Sequence, residues 1–215
     1  AFDVPSEKGV PIAAKEVVTF QLSANSYPLQ LDFKEDSKRI KELQVNGKTV
    51  AVVHKEEHLV INHQELKKGK NTIHIQFDAG NGALNRNDEY LYTLFVPDRA
   101  RTVFPCFDQP DLKATYNLTL DLPREWKAMA NAGLKESISA EGKTRFIFNT
   151  SDAMSTYLFA FAAGKFELAE GMTDKMKTDF LYRETDTAKI SRSIGEVFKI
   201  HNSSLKYLED WTGIP

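Results

Sequence analysis

The sequence predicts an all-β fold, two packed antiparallel sheets in a sandwich-like arrangement, followed by a short C-terminal helical segment. Three observations carry this prediction. Through about residue 180, short runs alternate apolar and polar side chains with a period of two. Turn signals end these runs, and no ten-residue helical pattern separates one from the next, so the rhythm of a parallel α/β sheet is absent. After about residue 183 the apolar period changes to three and four residues.

Val17 to Leu22 is rich in β-branched and aromatic residues and reads as a strand. Leu29, Leu31 and Phe33 alternate with Gln30 and Asp32. Ile40 to Val45 runs into Asn46-Gly47, a strong two-residue hairpin signal, and the strand is expected to resume over Lys48 to Val53. Leu59-Val60-Ile61 follows a polar turn. Ile73, Ile75 and Phe77 share one face, with Thr72, His74 and Gln76 on the other, which describes a sheet with one wet side. Asn81 to Glu89 reads as a polar surface loop. Alternation returns at Tyr90 to Val96, at Ala114 to Leu120, at Phe146 and Phe148, and at Tyr157, Phe159 and Phe161. Pro97, Pro105 and Pro110 keep the stretch between the first two of these from being a central strand.

Ile190, Ile194, Val197, Phe198, His201, Leu205, Leu208 and Trp211 fall at helical spacing. Thr185, Asp186 or Thr187 can cap the start, and Gly213 and Pro215 supply the stop. Gly195 and Ser203-Ser204 weaken the middle, which leaves one long helix or two shorter ones. His201 is expected at the edge of a packed face.

The 215 residues carry a net charge of −2, which argues against a broad nucleic-acid-binding surface. One cysteine, Cys106, excludes an intrachain disulfide and a multi-cysteine metal cage. No eighteen-residue apolar run occurs, so no membrane span is expected. The chain is expected to be soluble, either cytoplasmic or exported after removal of a signal peptide.

Three segments are candidates for chemistry. His54-Lys55-Glu56-Glu57-His58 has two histidines four apart, but a zinc peptidase helix needs glutamate directly after the first histidine. Its position between two strand patterns makes it a charged turn, and no metal site is expected from it. Cys106 has Asp108 two residues away and no histidine nearby in sequence, so a buried small hydrophobe is the better reading than a nucleophile. The segment Arg99 to Pro110 is the most informative. Pro105 and Pro110 constrain the backbone around Cys106, Asp108 can hydrogen-bond backbone N–H groups two residues on, and Arg99 and Arg101 share a face if the chain is extended. The segment is either a rigid structural loop or one wall of a binding cleft.

Arg101 through Pro110, continuing through Lys113-Ala114-Thr115-Tyr116 and Leu118 to Pro123, resembles the zinc aminopeptidases of the M1 family. The stretch Phe104-Pro105-Cys106-Phe107-Asp108-Gln109-Pro110 looks like the family's Phe-Pro-Cys-Phe-Asp-Glu-Pro signature, with Gln109 where an acid is usual. Ser155 to Phe161, Gly164 to Glu167, Leu208-Glu209 and Gly213-Ile214-Pro215 add to the likeness. The resemblance implies a saddle-shaped N-terminal β domain over residues 1–172, with residues 173–215 as the first strand and helical part of a thermolysin-like catalytic domain. It implies that the catalytic residues and the zinc ligands belong to later sequence. This stretch would then hold no metal and no cofactor, while the full-length protein would use Zn. Its partner would be the catalytic domain of its own chain, and peptide substrate would bind only in the full-length enzyme. The resemblance further implies that Arg101, Pro105, Cys106, Asp108, Gln109 and Pro110 form a structural loop of the cleft. The family places a polar side chain near the substrate's first residue, and the matching positions here are Leu94 and Val96, both apolar. Either the full-length enzyme anchors the substrate's amino terminus through later Glu residues alone, or its pocket favours an apolar first residue.

A second reading is a self-contained β-sandwich module that binds proteins or carbohydrates. The two differ in surface. A fragment leaves apolar area around Leu205, Leu208 and Trp211 and near Leu94 to Val96, whereas a complete module buries its helix. A third reading, a small enzyme using Cys106 or the histidines, lacks converging groups.

Overall fold

The computed structural model describes residues 1–214, and Pro215, half of the expected helix stop, lies outside them. The chain divides into two compact units, Ala1–Gly164 and the residues from Lys165 onward.

The first unit is all β. Its largest sheet has eight strands, in the order Leu134–Ala140, Lys143–Phe148, Thr119–Pro123, Phe2–Asp3, Ala13–Leu22, Gly69–Asp78, Ile40–Val45 and Lys48–Thr49. Every pair in it is antiparallel except Phe2–Asp3 with Thr119–Pro123, where Phe2 lies opposite Leu120. A four-stranded sheet is built from Lys127–Ala130, Phe161–Gly164, Tyr90–Thr93 and Leu84–Arg86. A three-stranded sheet holds Leu29–Asp32, His58–Ile61 and His54–Lys55. Core side chains come from all three: Ile73, Ile75, Leu43 and Leu120 from the large sheet, Leu91 and Phe161 from the second, Leu31 and Leu59 from the third. The period of two seen at Ile73 to Phe77 is the burial pattern of that strand, with His74 exposed between Ile73 and Ile75.

Turn chemistry follows the residues. Asn46 and Gly47 both take positive φ, 51° and 84°, and close the hairpin between Ile40–Val45 and Lys48–Thr49. The expected strand over Lys48 to Val53 stops at Thr49, and Val52 and Val53 are exposed. The chain there turns toward the hairpin of His54–Lys55 and His58–Ile61, and side-chain branching alone did not hold it in the large sheet. The expected loop over Asn81 to Glu89 contains the strand Leu84–Arg86. Its anchor is Arg86, buried with its guanidinium donating to the carbonyls of Pro5, Glu7 and Val10. A buried cation is stable there because its donors meet three acceptors. The strand expected from Ala114 begins at Thr119, because Ala114 and Tyr116 hydrogen-bond out to Met154 and Ser151. Tyr157 lies in a short 3₁₀ turn, Thr156–Leu158, and not in a strand.

The second unit pairs Glu167–Met172 with Lys177–Tyr182 as a hairpin and continues into one helix, Thr187–Thr212. Asp186 caps it by accepting the N–H groups of Ala188 and Lys189, and Gly213 ends it in the left-handed conformation at φ 69°. The helix therefore runs unbroken through Gly195 and Ser203-Ser204. Gly171 lies so close to Phe198 that an added Cβ would stand 2.6 Å from its ring, and Phe180 meets the same ring edge-on. No helical residue is fully buried; Leu208 and Trp211 are exposed, and so is His201, which does not sit at a packed edge. The apolar spacing of the helix thus makes few contacts inside its own unit.

Candidate functional site

The segment singled out in the sequence is a braced loop. Val103, Phe104, Pro105 and Cys106 are buried, Phe107 and Asp108 are half-buried, and Gln109 and Pro110 are exposed. Arg99 and Arg101 do not share a face, because residues Ala100–Thr102 form a 3₁₀ turn that sends them apart. Arg99 donates to the carbonyl of Gly82, and Arg101 pairs with Asp98.

The loop is held on one side by backbone and on the other by side-chain hydroxyls. Cys106 and Asp32 exchange hydrogen bonds: Asp32 N–H donates to Cys106 O at 2.8 Å and Cys106 N–H donates to Asp32 O at 3.1 Å. Lys34 N–H donates to Arg101 O at 2.8 Å. On the far side Ser155 Oγ donates to Pro110 O, and Thr156 Oγ1 donates to Phe107 O at 3.0 Å.

Asp32 is the hub that sequence reading missed. It sits at the end of the strand Leu29–Asp32, where alternation made it a solvent-facing polar residue, yet it is only 5% exposed. Its Oδ2 accepts the backbone N–H of Asp108 at 2.8 Å and is reached by Gln109 Nε2 at 3.5 Å, while Oδ1 lies 3.1 Å from His58 Nε2. No local signal marks it, because its partners come from a loop distant in sequence.

Asp108 does not bond backbone two residues on. It turns back and accepts the N–H of Arg101 at 3.1 Å. Burial raises its pKa, opposed by that N–H bond and by the positive charge of Arg101. Cys106 is a buried thiol whose pKa burial pushes well up, with the carboxylates of Asp108, Glu16 and Asp32 adding to the rise. A thiol held protonated is no nucleophile at neutral pH.

His54 and His58 do not converge. In the hairpin Lys55 lies opposite His58 and His54 opposite Leu59, so the two rings fall on opposite faces. His54 Nε2 lies 2.8 Å from the carbonyl of Phe33, and His58 is taken up by Asp32. The tight turn between them places Glu56 and Glu57 at positive φ, 50° and 66°. Among the described residues no group of three histidine, cysteine or acidic side chains could hold a metal ion. The donors present therefore do not fit a zinc centre.

Leu94 and Val96 lie just after the strand Tyr90–Thr93 and are 47% and 56% exposed. Phe95 between them is buried, stacked on Phe159 at 6.2 Å and edge-on to Phe104 at 5.7 Å. The two apolar side chains thus flank a ring packed against the braced loop, and their backbone is fixed by it. No helix among the described residues is long and apolar enough to cross a membrane.

Residues 12–158 match the family model described as the Peptidase M1 N-terminal domain. The glutamyl aminopeptidase of Homo sapiens is 33% identical over 111 residues, covering 48% of this chain and 12% of that protein. The puromycin-sensitive aminopeptidase of Caenorhabditis elegans is 41% identical over 92 residues, 41% of this chain and 10% of that protein. Aminopeptidase M1-D of Oryza sativa subsp. japonica is 34% identical over 143 residues, 59% of this chain and 16% of that protein. The matched stretch is thus a small part of the length of each of these relatives.

Proposed function

The chain belongs to the M1 peptidase family through its N-terminal domain, and from that premise we propose that it is the non-catalytic β domain of a zinc aminopeptidase releasing N-terminal residues from peptides. The β domain extends to residue 172, and residues 173–215 open the catalytic domain. The chemistry belongs to that later domain, which is the partner of this one in the same polypeptide. The β domain packs on it and lines one side of the substrate cleft.

The observation that supports this most directly is the rim of Leu94 and Val96. Phe95 seats them against Phe104, and the loop from Arg101 to Pro110 is tied down along its length. A cleft wall has to hold its place while substrate passes, and the loop behind this rim is fixed by part-buried hydrogen bonds. The rim is apolar and cannot accept a hydrogen bond from a substrate ammonium group. It therefore discriminates by contact with the first side chain of the peptide.

The test is to assay this chain with added Zn²⁺ against aminoacyl-coumarin substrates, beside the same chain joined to its catalytic domain. Turnover is expected only from the joined protein. Hydrolysis by this chain alone overturns the proposal.

A further inference from the structure

The eight-stranded sheet ends on one side at Leu134–Ala140. Every residue of this strand is exposed, Leu134 at 49% and Ile138 at 46%. It pairs with Lys143–Phe148 across the turn Glu141-Gly142, whose two residues take positive φ, 49° and 79°. Ala140 and Lys143 close such a turn as a hydrogen-bonded pair. Ala140, Ile138 and Glu136 therefore turn their peptide groups inward, opposite Lys143, Arg145 and Ile147. The next residue in phase on the inner strand agrees: Phe148 N–H donates the other way, to Leu118 O at 3.0 Å. The peptide groups of Ser137 and Ser139 then point outward, to the free edge of the sheet.

Exposed edges are usually blunted by proline, by a charge in mid-strand or by a bulge. Here the bulge lies at one end, between Leu134 and Glu136, and the charges of Lys135 and Glu136 lie there too. Ser137 to Ala140 carries neither charge nor proline. The opposite edge of the same sheet, Lys48–Thr49, is two residues long and too short to take a partner strand.

We propose that the edge Leu134–Ala140 pairs with the same edge of a second copy of the chain, antiparallel, about a two-fold axis at Ile138. Outward residues must meet outward residues for the ladder to form. With the axis at Ile138, Ser137 of one copy faces Ser139 of the other, and the two exchange both N–H···O=C bonds on each side of the axis. The two Ile138 side chains meet as a non-hydrogen-bonded pair, the closer kind, with Cα atoms about 4.5 Å apart. Glu136 faces Ala140, and Lys135 faces Glu141, so both ends of the contact carry opposite charges. Moving the axis to Ser137 sets Glu136 against Ile138 and Lys135 against Ser139, and both charge pairs are lost. An unrelated extended peptide would need its own matching charges at both ends, whereas a second copy brings them by symmetry. The contact is small, so association is weak and depends on concentration.

The test reads amide hydrogen exchange at Ser137 and Ser139 at low ionic strength, at protein concentrations of about 5 and about 500 μM. In the wild-type chain exchange at both amides is expected to slow about fivefold at the higher concentration. Lys135→Glu places like charges at both ends of the contact, and Glu141→Lys does the same with the opposite sign. Each variant alone is expected to lose the concentration dependence. Mixed in equal amounts, the two again bring opposite charges together at both ends, and the slowing is expected to return. Both sites are exposed, so circular dichroism and Tm should match the wild type. Exchange at Ser137 and Ser139 that ignores concentration in the wild type, including when the chain associates through another surface, overturns the proposal. So does slowing that survives in both single variants, or a mixture that stays unprotected.

Discussion

The backbone N–H of Asp108 donates to Oδ2 of Asp32 at 2.8 Å, and through that bond an acid from one strand fixes the turn of a loop remote from it in sequence. The same carboxylate holds His58 on its other oxygen. Asp32→Ala leaves a half-buried N–H and an imidazole without their acceptor and is expected to cost about 2–4 kcal/mol. Asp32→Asn keeps an acceptor for one of them and should cost less. Urea unfolding followed by tryptophan fluorescence measures both, and equal midpoints for the wild type and the alanine variant would refute the role of Asp32.

Glu16 carries a pH dependence. The residue as a whole is half-buried, but its Oε1 is sealed from solvent and has no hydrogen-bond partner. Burial raises its pKa from 4.5 to about 8, with the ammonium of Ala1 acting against the rise. The folded chain then binds a proton that the unfolded chain releases between these values. Stability contributed by this group is full below pH 4.5, falls as pH rises toward 8 and is level above it. Glu16→Gln removes that slope and is expected to raise stability at pH 9 by about 2 kcal/mol, discounted for the partial exposure of the residue. Urea midpoints of the chain starting at Ala1, taken from pH 5 to 9, give the slope directly.

Cys106 is expected to resist thiol reagents while the chain is folded. Its thiol is buried and held protonated, so reaction with a disulfide reagent should follow unfolding and track urea concentration. Cys106→Ser puts a hydroxyl into the same apolar surroundings and should cost about 1–3 kcal/mol. Rapid labelling in native buffer would contradict this account.

Leu94→Gln tests the rim in the full-length enzyme. Leu94 is exposed, so the change should alter stability by no more than about 0.5 kcal/mol. It introduces a group that can bond a substrate ammonium, and kcat/KM should shift between apolar and basic first residues. Unchanged kcat/KM for every substrate would remove Leu94 from the cleft wall.

What the residues announced in advance was what they decide locally. Asn46-Gly47 closes its hairpin by its own backbone preference, and Asp186 and Gly213 bound the helix in the same way. Cys106 was readable as a buried thiol because no base stands near it in sequence. Asp32, Arg86 and Glu16 were not readable, because their surroundings are assembled from distant segments. Arg86 looks like a loop charge until Pro5, Glu7 and Val10 wrap it. Val50 to Val53 shows the reverse error: strong strand residues that the large sheet does not take up.

The pairing of Phe2 with Leu120 has a kinetic consequence. Among the described residues, the flanks of the eight-stranded sheet meet through this short parallel contact between segments far apart in sequence. During synthesis Phe2 and Asp3 must wait for that partner to leave the ribosome. Contacts of such long sequence separation make closure slow, so the sheet joins late, after the local hairpins on either side have formed.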